Sequence, residues 1–121
     1  MNFLIVAFGA GLGGGLRYWL SNYVSKIFPV FSPYGTLAVN ILGSIILGIL
    51  IFGFDEKGTL TTSMKLFIGV GFCGGLTTFS TFSLETFSLL RNTEFLLASL
   101  NIFANMFLTL LGIYIGYLIT K

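Results

Sequence analysis

Long uncharged stretches alternate with short charged ones along this chain. Residues 27–54 carry no charge, and neither do residues 95–120. A helix needs about 20 apolar residues to cross the roughly 30 Å of hydrocarbon in a bilayer. These two stretches therefore predict membrane spans near 34–54 and 95–119.

Two further apolar runs predict two more spans. One, near 3–24, contains Arg17, and the other, near 64–90, contains Glu85. No positively charged segment precedes the first run, which favours a span over a cleaved signal peptide. The intervening segments carry the proline, glycine, asparagine and charged residues typical of turns, at 28–33, 55–58 and 91–94. We expect one all-α transmembrane domain of four helices over residues 1–121, with both termini on one side.

The composition agrees with this assignment. Only 8% of the residues are charged and 55% are hydrophobic, whereas soluble domains are about a quarter charged. The absence of His and the single Cys exclude an internal disulfide and a Cys/His zinc site. A net charge of +2 gives no reason to expect nucleic acid as a partner. No nucleophile–base pair or phosphate-binding loop indicates an enzyme.

The positive charges are balanced between the two predicted membrane faces. Three lie towards one face and three towards the other: Arg17, Lys26 and Arg91 against Lys57, Lys65 and Lys121. Positive residues normally mark the cytoplasmic side, so the balance indicates either a weak bias or dual topology. In dual topology, copies insert both ways and pair antiparallel, like an inverted repeat made from two chains.

Polar and small residues recur at a spacing of four in the second and fourth spans. The series spaced by four are Asn40, Ser44, Gly48 and Asn101, Asn105, Thr109, and Gly112 and Gly116 continue nearly the same face of the fourth span. Residues four apart share one helix face, so each series faces protein or water. For the small pairs, Gly9–Gly13 and Gly11–Gly15 included, we favour helix packing. For Asn40 and Asn105 we favour donors along an anion pathway. Arg17 either snorkels to the interface or places a positive charge at a mouth.

The segment 71–85, GFCGGLTTFSTFSLE, is unusual for a span. Glycine weakens a helix by about 1 kcal/mol relative to alanine, and Ser and Thr favour helix ends over interiors. We expect the third helix to break near 74–78 and to restart within 77–80. Such a break must be buried in protein or line a cavity, where its carbonyls suit a cation and its amides an anion. A glycine packing notch is the alternative.

Aromatic and hydroxyl residues follow the glycines. Phe79 and Phe82 are three apart and share a helix face, and hydroxyl residues surround them. The edge of an aromatic ring is positive, so ring edges and hydroxyl hydrogens can contact an anion together. Phenylalanine at this spacing is also common in cores.

The run 71–85 resembles the signature of the Fluc, or CrcB, family of fluoride channels. Three other pieces match in order: GGGLRY at 13–18, GTLAVN at 35–40 and GS at 43–44. The resemblance extends over about the whole chain. It implies antiparallel, dual-topology homodimers with two fluoride pores and a broken third helix. It also implies one structural Na⁺, not transported, held at the dimer centre by backbone carbonyls of Gly74 and Thr77.

The resemblance also implies a set of pore residues. Arg17 falls near a vestibule, and the predicted fluoride pore contains Asn40, Phe79, Ser80, Thr81, Phe82, Glu85, Asn105 and Thr109. The expected function is passive export of fluoride across the plasma membrane of a bacterial cell. The expected partners are fluoride, lipid and a second copy of the chain.

Three other classes remain open. A small dual-topology multidrug exporter shares the length and charge balance, but needs a carboxylate deep in its first span. An assembly subunit explains the glycines but not the asparagines and hydroxyls. Proton-coupled fluoride antiport would depend on Glu85, the carboxylate within the third span.

Overall fold

The computed structural model describes residues 1–27 and 33–121, which are helical apart from short turns. Four helical segments are long and apolar enough to cross a membrane: Asn2–Ile27, Tyr34–Asp55, Thr62–Arg91 and Phe95–Thr120. The prediction of an all-α membrane protein with four spans is therefore confirmed. Most of the first predicted turn, residues 28–32, lies outside the described residues.

The spans differ in their internal regularity. The first and fourth are single helices, α1 (Asn2–Ile27) and α6 (Phe95–Thr120). The second is α2 (Tyr34–Gly48), continued by the π-helix Ile49–Asp55. The third contains α3 (Thr62–Met64), the π-helix Lys65–Cys73, α4 (Gly74–Leu76) and α5 (Ser80–Arg91).

Local chemistry accounts for the turn between the second and third spans. Gly58 has a φ of 74°, a conformation that glycine adopts without steric cost. The Thr61 hydroxyl accepts a hydrogen bond from the Met64 N–H at 3.2 Å and so caps α3.

Close backbone contact joins the first span to the third. A Cβ added at Gly13 would lie 2.1 Å from the Phe72 carbonyl oxygen, and one at Gly75 would lie 2.4 Å from that of Ala10. No side chain fits at either position. The predicted packing role of Gly9–Gly13 is confirmed. For Gly11 and Gly15 it is wrong within the single chain as far as the structure describes it, because no atom of residues 1–27 or 33–121 lies within 4 Å of an added Cβ at either position.

The second and fourth spans pack in the same way. A Cβ at Gly48 would lie 2.6 Å from the Ile113 oxygen, and one at Gly116 would lie 2.7 Å from the Ile45 oxygen. Small residues let membrane helices approach this closely. The bundle is thus two tightly joined helix pairs, with α1 also packed against α2.

Apolar side chains cover the outside of the bundle. Among the described residues the buried apolar core is small and consists of Val39, Leu50, Cys73, Leu76 and Ala98. Large apolar side chains such as Phe3 and Leu96 are 81% and 74% exposed. A soluble monomer rarely exposes so much apolar surface, so lipid or another chain must cover it.

The three lysines that the sequence assigns to one membrane face lie near polar contacts at one end of the bundle. Lys65 Nζ lies 3.0 Å from Asp55 Oδ2. Lys57 Nζ donates to the carbonyl oxygen of Thr120 at 2.8 Å, next to Lys121. These contacts agree with the side assigned to these lysines from the sequence.

Candidate functional site

Residues 77–79, here called the 77–79 segment, separate two helical parts of the third span. α4 ends at Leu76 and α5 begins at Ser80, and Thr77 is extended, with φ −87° and ψ 158°. The Thr77 hydroxyl donates to the Cys73 carbonyl at 2.8 Å, and the Thr77 N–H donates to the same oxygen. The Thr78 hydroxyl accepts from the Thr81 N–H at 3.1 Å, in the first turn of α5. The local threonines thus satisfy several backbone groups at the two helix ends.

Asn40 of the second span holds this segment through the backbone of Thr78. Its Oδ1 accepts from the Thr78 N–H at 2.8 Å, and its Nδ2 donates to the Thr78 carbonyl oxygen at 3.3 Å. Nδ2 also donates to Oδ1 of Asn105 at 3.0 Å. Asn40 is only 8% exposed. Both amide hydrogens of Asn40 are therefore directed at protein acceptors.

This arrangement diverts the usual helical donors away from two carbonyls. In an α-helix the carbonyl of residue i accepts from the N–H of residue i+4. The Thr78 N–H, which would serve Gly74, donates to Asn40, and the Thr81 N–H, which would serve Thr77, donates to the Thr78 hydroxyl. The usual helical donors of the Gly74 and Thr77 carbonyls are thus used elsewhere.

The carbonyl of Gly75 differs from these two because it accepts from Arg17 Nε at 3.0 Å. Gly74 is exposed, and a Cβ built there meets no atom of the described part of the chain within 4 Å. Its side of the chain is open.

A buried chain of amides continues from Asn40 into the fourth span. Asn105 Nδ2 donates to the Asn101 carbonyl oxygen at 2.9 Å and to Asn101 Oδ1 at 3.1 Å. Asn101 Nδ2 donates to the Thr86 hydroxyl at 2.9 Å. Thr109 donates its hydroxyl hydrogen to backbone carbonyls, at 2.5 Å from that of Asn105.

Most of the predicted site residues line one cavity of about 750 Å³, here called the main groove. They are Asn40, Gly74, Thr77, Phe79, Phe82, Asn105 and Thr109. The Phe79 and Phe82 ring centroids are 5.4 Å apart, and the rings are inclined at 51°. The groove therefore brings together amides, hydroxyls and a pair of phenyl rings.

A second cavity of about 250 Å³, here called the polar cleft, holds the remaining charged candidates. Arg17, Thr81 and Glu85 line it together with Thr36, and Thr78 borders both cavities. The Oε1 atom of Glu85 is buried and has no hydrogen-bond partner among the described residues. The cleft thus contains one positive and one acidic side chain.

Ser80 lines neither cavity. It is exposed, and its hydroxyl lies 3.2 Å from that of Thr78. Ser80 is therefore linked to the two cavities by its hydroxyl contact with Thr78.

Sequence reasoning missed two residues with central contacts. The backbone N–H of Thr78 donates to Asn40 and its carbonyl accepts from Asn40, and the Thr86 hydroxyl accepts from Asn101 at the end of the amide chain. Thr78 stands within a run of hydroxyl residues in which no spacing distinguishes it. Thr86 lies directly after Glu85, and only the fold shows that it faces Asn101.

Fold and site together define a small multi-pass membrane protein with a polar groove beside the 77–79 segment of its third span. The sequence matches the model of the CrcB-like family, described as CrcB-like protein, Camphor Resistance (CrcB), over residues 4–117. The chain belongs to the CrcB-like family. The family suggested by the sequence motifs is therefore confirmed.

Curated relatives extend over nearly the whole chain. A protein of Pyrococcus abyssi (strain GE5 / Orsay) named fluoride-specific ion channel FluC is 45% identical over 98% of this chain and 94% of its own length. Proteins of the same name from Thermococcus gammatolerans and Campylobacter jejuni are 47% and 44% identical, over 98% of this chain and 94% and 96% of theirs. These relatives come from both archaea and bacteria, so a bacterial source stays a prediction.

Proposed function

We propose that this chain forms a passive, fluoride-selective channel rather than an enzyme. The observation that carries the proposal is the likeness to proteins named fluoride-specific ion channel, 44–47% identical over nearly full length. The chemistry of the main groove supports it, since amides, hydroxyls and phenyl ring edges all present positive partial charge to an anion.

The proposed channel is an antiparallel, dual-topology homodimer. The balanced positive charges support this arrangement. The open side of the main groove supports it as well, because Phe79 is 77% exposed there and Gly74 is also exposed. A second chain against this side would enclose the groove and shield the phenyl rings.

Fluoride is strongly hydrated, and a pore must replace its water with several weak sites. In the proposed path these sites are formed by the Phe79 and Phe82 ring edges and the donors Asn40, Ser80, Thr81, Asn105 and Thr109. Asn40 already donates both amide hydrogens to protein. An ion passing it must take a hydrogen from the Asn105 or Thr78 bond, which keeps that contact weak and reversible.

The polar cleft is the proposed vestibule. The Arg17 guanidinium is fixed through Gly75 at 3.0 Å, and its positive charge raises the local concentration of anions. Glu85, which also lines the cleft, limits how strongly an anion is held there. The two charges together favour entry without trapping.

The residues present fit the structural Na⁺ that the family resemblance implies. Its proposed ligands are the Gly74 and Thr77 carbonyls, whose helical donors are used elsewhere. Hard cations prefer oxygen ligands, and two such carbonyls from each of two chains would provide four. The bound ion would supply a fixed positive charge between the two third spans.

The proposed service is removal of fluoride from the cell. The chain would lie in the plasma membrane, and a negative interior drives anions outward at about 2.3 kcal/mol per elementary charge per 100 mV. No energy source beyond the membrane potential and the fluoride gradient is needed.

The test is fluoride efflux from liposomes that carry the purified protein, followed with a fluoride electrode. We expect fast electrogenic fluoride release, no release from chloride-loaded liposomes, and slower release after Na⁺ is exchanged for a larger cation. A folded protein that releases no fluoride would rule out the channel and leave the exporter or the assembly subunit. Unchanged release without Na⁺ would reject the Gly74/Thr77 cation site alone.

A further inference from the structure

The buried amide chain has a single direction. Starting at the third span, each group donates to the next: Thr78 N–H to Asn40, Asn40 to Asn105, Asn105 to Asn101, and Asn101 to Thr86. Asn101, Asn105 and Thr86 are 3%, 7% and 8% exposed, so water does not replace these bonds. The chain joins the second, third and fourth spans inside the bundle.

Backbone groups fix this direction near both ends. At one end the Thr78 N–H can only donate and the Thr78 carbonyl can only accept, which sets the orientation of the Asn40 amide. Near the other end the Asn101 carbonyl can only accept, which sets the orientation of the Asn105 amide. Rotating one amide by about 180° would place two NH₂ groups or two oxygens face to face. The neighbouring amide would then also have to rotate to keep its hydrogen bond.

Thr86 and Asn101 form the far end of the chain, away from the main groove and the polar cleft. Thr86 lines neither cavity, and the amide of Asn101 lines neither. The Thr86 hydroxyl is the partner of Asn101 Nδ2, and without it a buried amide donor loses its acceptor. Thr86 thus completes the hydrogen bonding of Asn101, whose Oδ1 in turn accepts from Asn105 in the main groove.

We propose that Thr86 and Asn101 are positioning residues, which act through Asn105 and Asn40 to hold the backbone of Thr78. They do not contact the permeating ion. Their role is to keep the 77–79 segment in the conformation that aims the Gly74 and Thr77 carbonyls and the Phe79 ring. The consequence for ion flow rests on the proposed function, whereas the consequence for Thr78 does not.

The experiment compares Thr86→Val, Thr86→Ser and Asn101→Leu with the unchanged protein in lipid nanodiscs and liposomes. Valine matches threonine in shape but lacks the hydroxyl, whereas serine keeps it. Thr120→Val is the matched control, because its hydroxyl binds only backbone carbonyls at the end of α6. Hydrogen–deuterium exchange at the Thr78 amide is the first readout, and fluoride efflux is the second.

Thr86→Val removes one buried hydrogen bond and Asn101→Leu removes two. Both should raise the Thr78 exchange rate by about three- to tenfold. Thr86→Ser and Thr120→Val should stay within about twofold of the unchanged protein. Fluoride efflux should fall in the first pair and persist in the second.

The outcomes separate the two proposals. Thr78 exchange that Thr86→Val and Asn101→Leu leave unchanged would overturn the positioning role, whatever the flux. If Thr86→Ser raised the Thr78 exchange rate as much as Thr86→Val, the positioning role would also be overturned. The effect would then not depend on the hydroxyl group that serine keeps. Faster Thr78 exchange in a protein that passes no fluoride would support the positioning role and reject the channel.

Discussion

Replacement of Asn40 by leucine tests how the 77–79 segment is held. Leucine has the same number and branching of heavy side-chain atoms as asparagine but no hydrogen-bonding groups, so Asn40→Leu removes three bonds: two to the Thr78 backbone, at 2.8 and 3.3 Å, and one to Asn105 at 3.0 Å. The side chain is 8% exposed, so water can do little to replace them.

The expected loss follows from the number and setting of these bonds. Hydrogen bonds between membrane helices average about 0.6 kcal/mol, with a maximum near 1.7. Three of them give a loss of about 2 to 5 kcal/mol in the free energy of unfolding, at the upper end if the Thr78 N–H stays buried without a partner. Because these bonds converge on Thr78, the loss should be accompanied by faster exchange of its amide hydrogen.

The assay is reversible unfolding in mixed detergent micelles, together with fluoride efflux from liposomes. Thr120→Val serves as control and should change the free energy of unfolding by less than about 0.5 kcal/mol. A loss of under about 0.5 kcal/mol for Asn40→Leu, with normal Thr78 exchange, would refute the role of Asn40 in holding the 77–79 segment. If flux were then still abolished, Asn40 would act on the ion directly.

Three further predictions concern neighbouring residues. Phe82→Ile should cut fluoride efflux severalfold but leave the dimer seen by cross-linking intact, since isoleucine has no positive ring edge; undiminished efflux would remove the ring-edge role. Gly43→Ala should reduce stability by about 1–3 kcal/mol, because its Cβ would lie 2.3 Å from Thr77 Cγ2; wild-type thermal unfolding would contradict this close fit. Glu85→Gln should retain fluoride efflux with the same pH dependence as the unchanged protein in liposomes of varied pH; a lost pH dependence would favour proton coupling.

The spans and the helix contacts were largely determined by the sequence. Each apolar run is long enough to cross a bilayer, and backbone hydrogen bonds must be satisfied within each segment in lipid, so four helices follow directly. Glycine spacing also predicted correct contacts at Gly9–Gly13, Gly48 and Gly116, because helix periodicity places such residues on one face. The family followed from the motifs for the same reason: they are long, ordered and local.

What the sequence left undecided depends on contacts between distant residues. It predicted a break in the third helix near 74–78. The interpretation of residues 77–79 as that break is part of the proposal. The sequence predicts Asn40 as a donor along an anion pathway but does not reveal that its amide hydrogens bond Thr78 and Asn105, 38 and 65 residues away. Spacing places a side chain on a helix face but does not reveal which partner the opposite helix presents there. The separation of Arg17 and Glu85 from the main groove, and the link from Asn101 to Thr86, likewise arise only when the four helices pack.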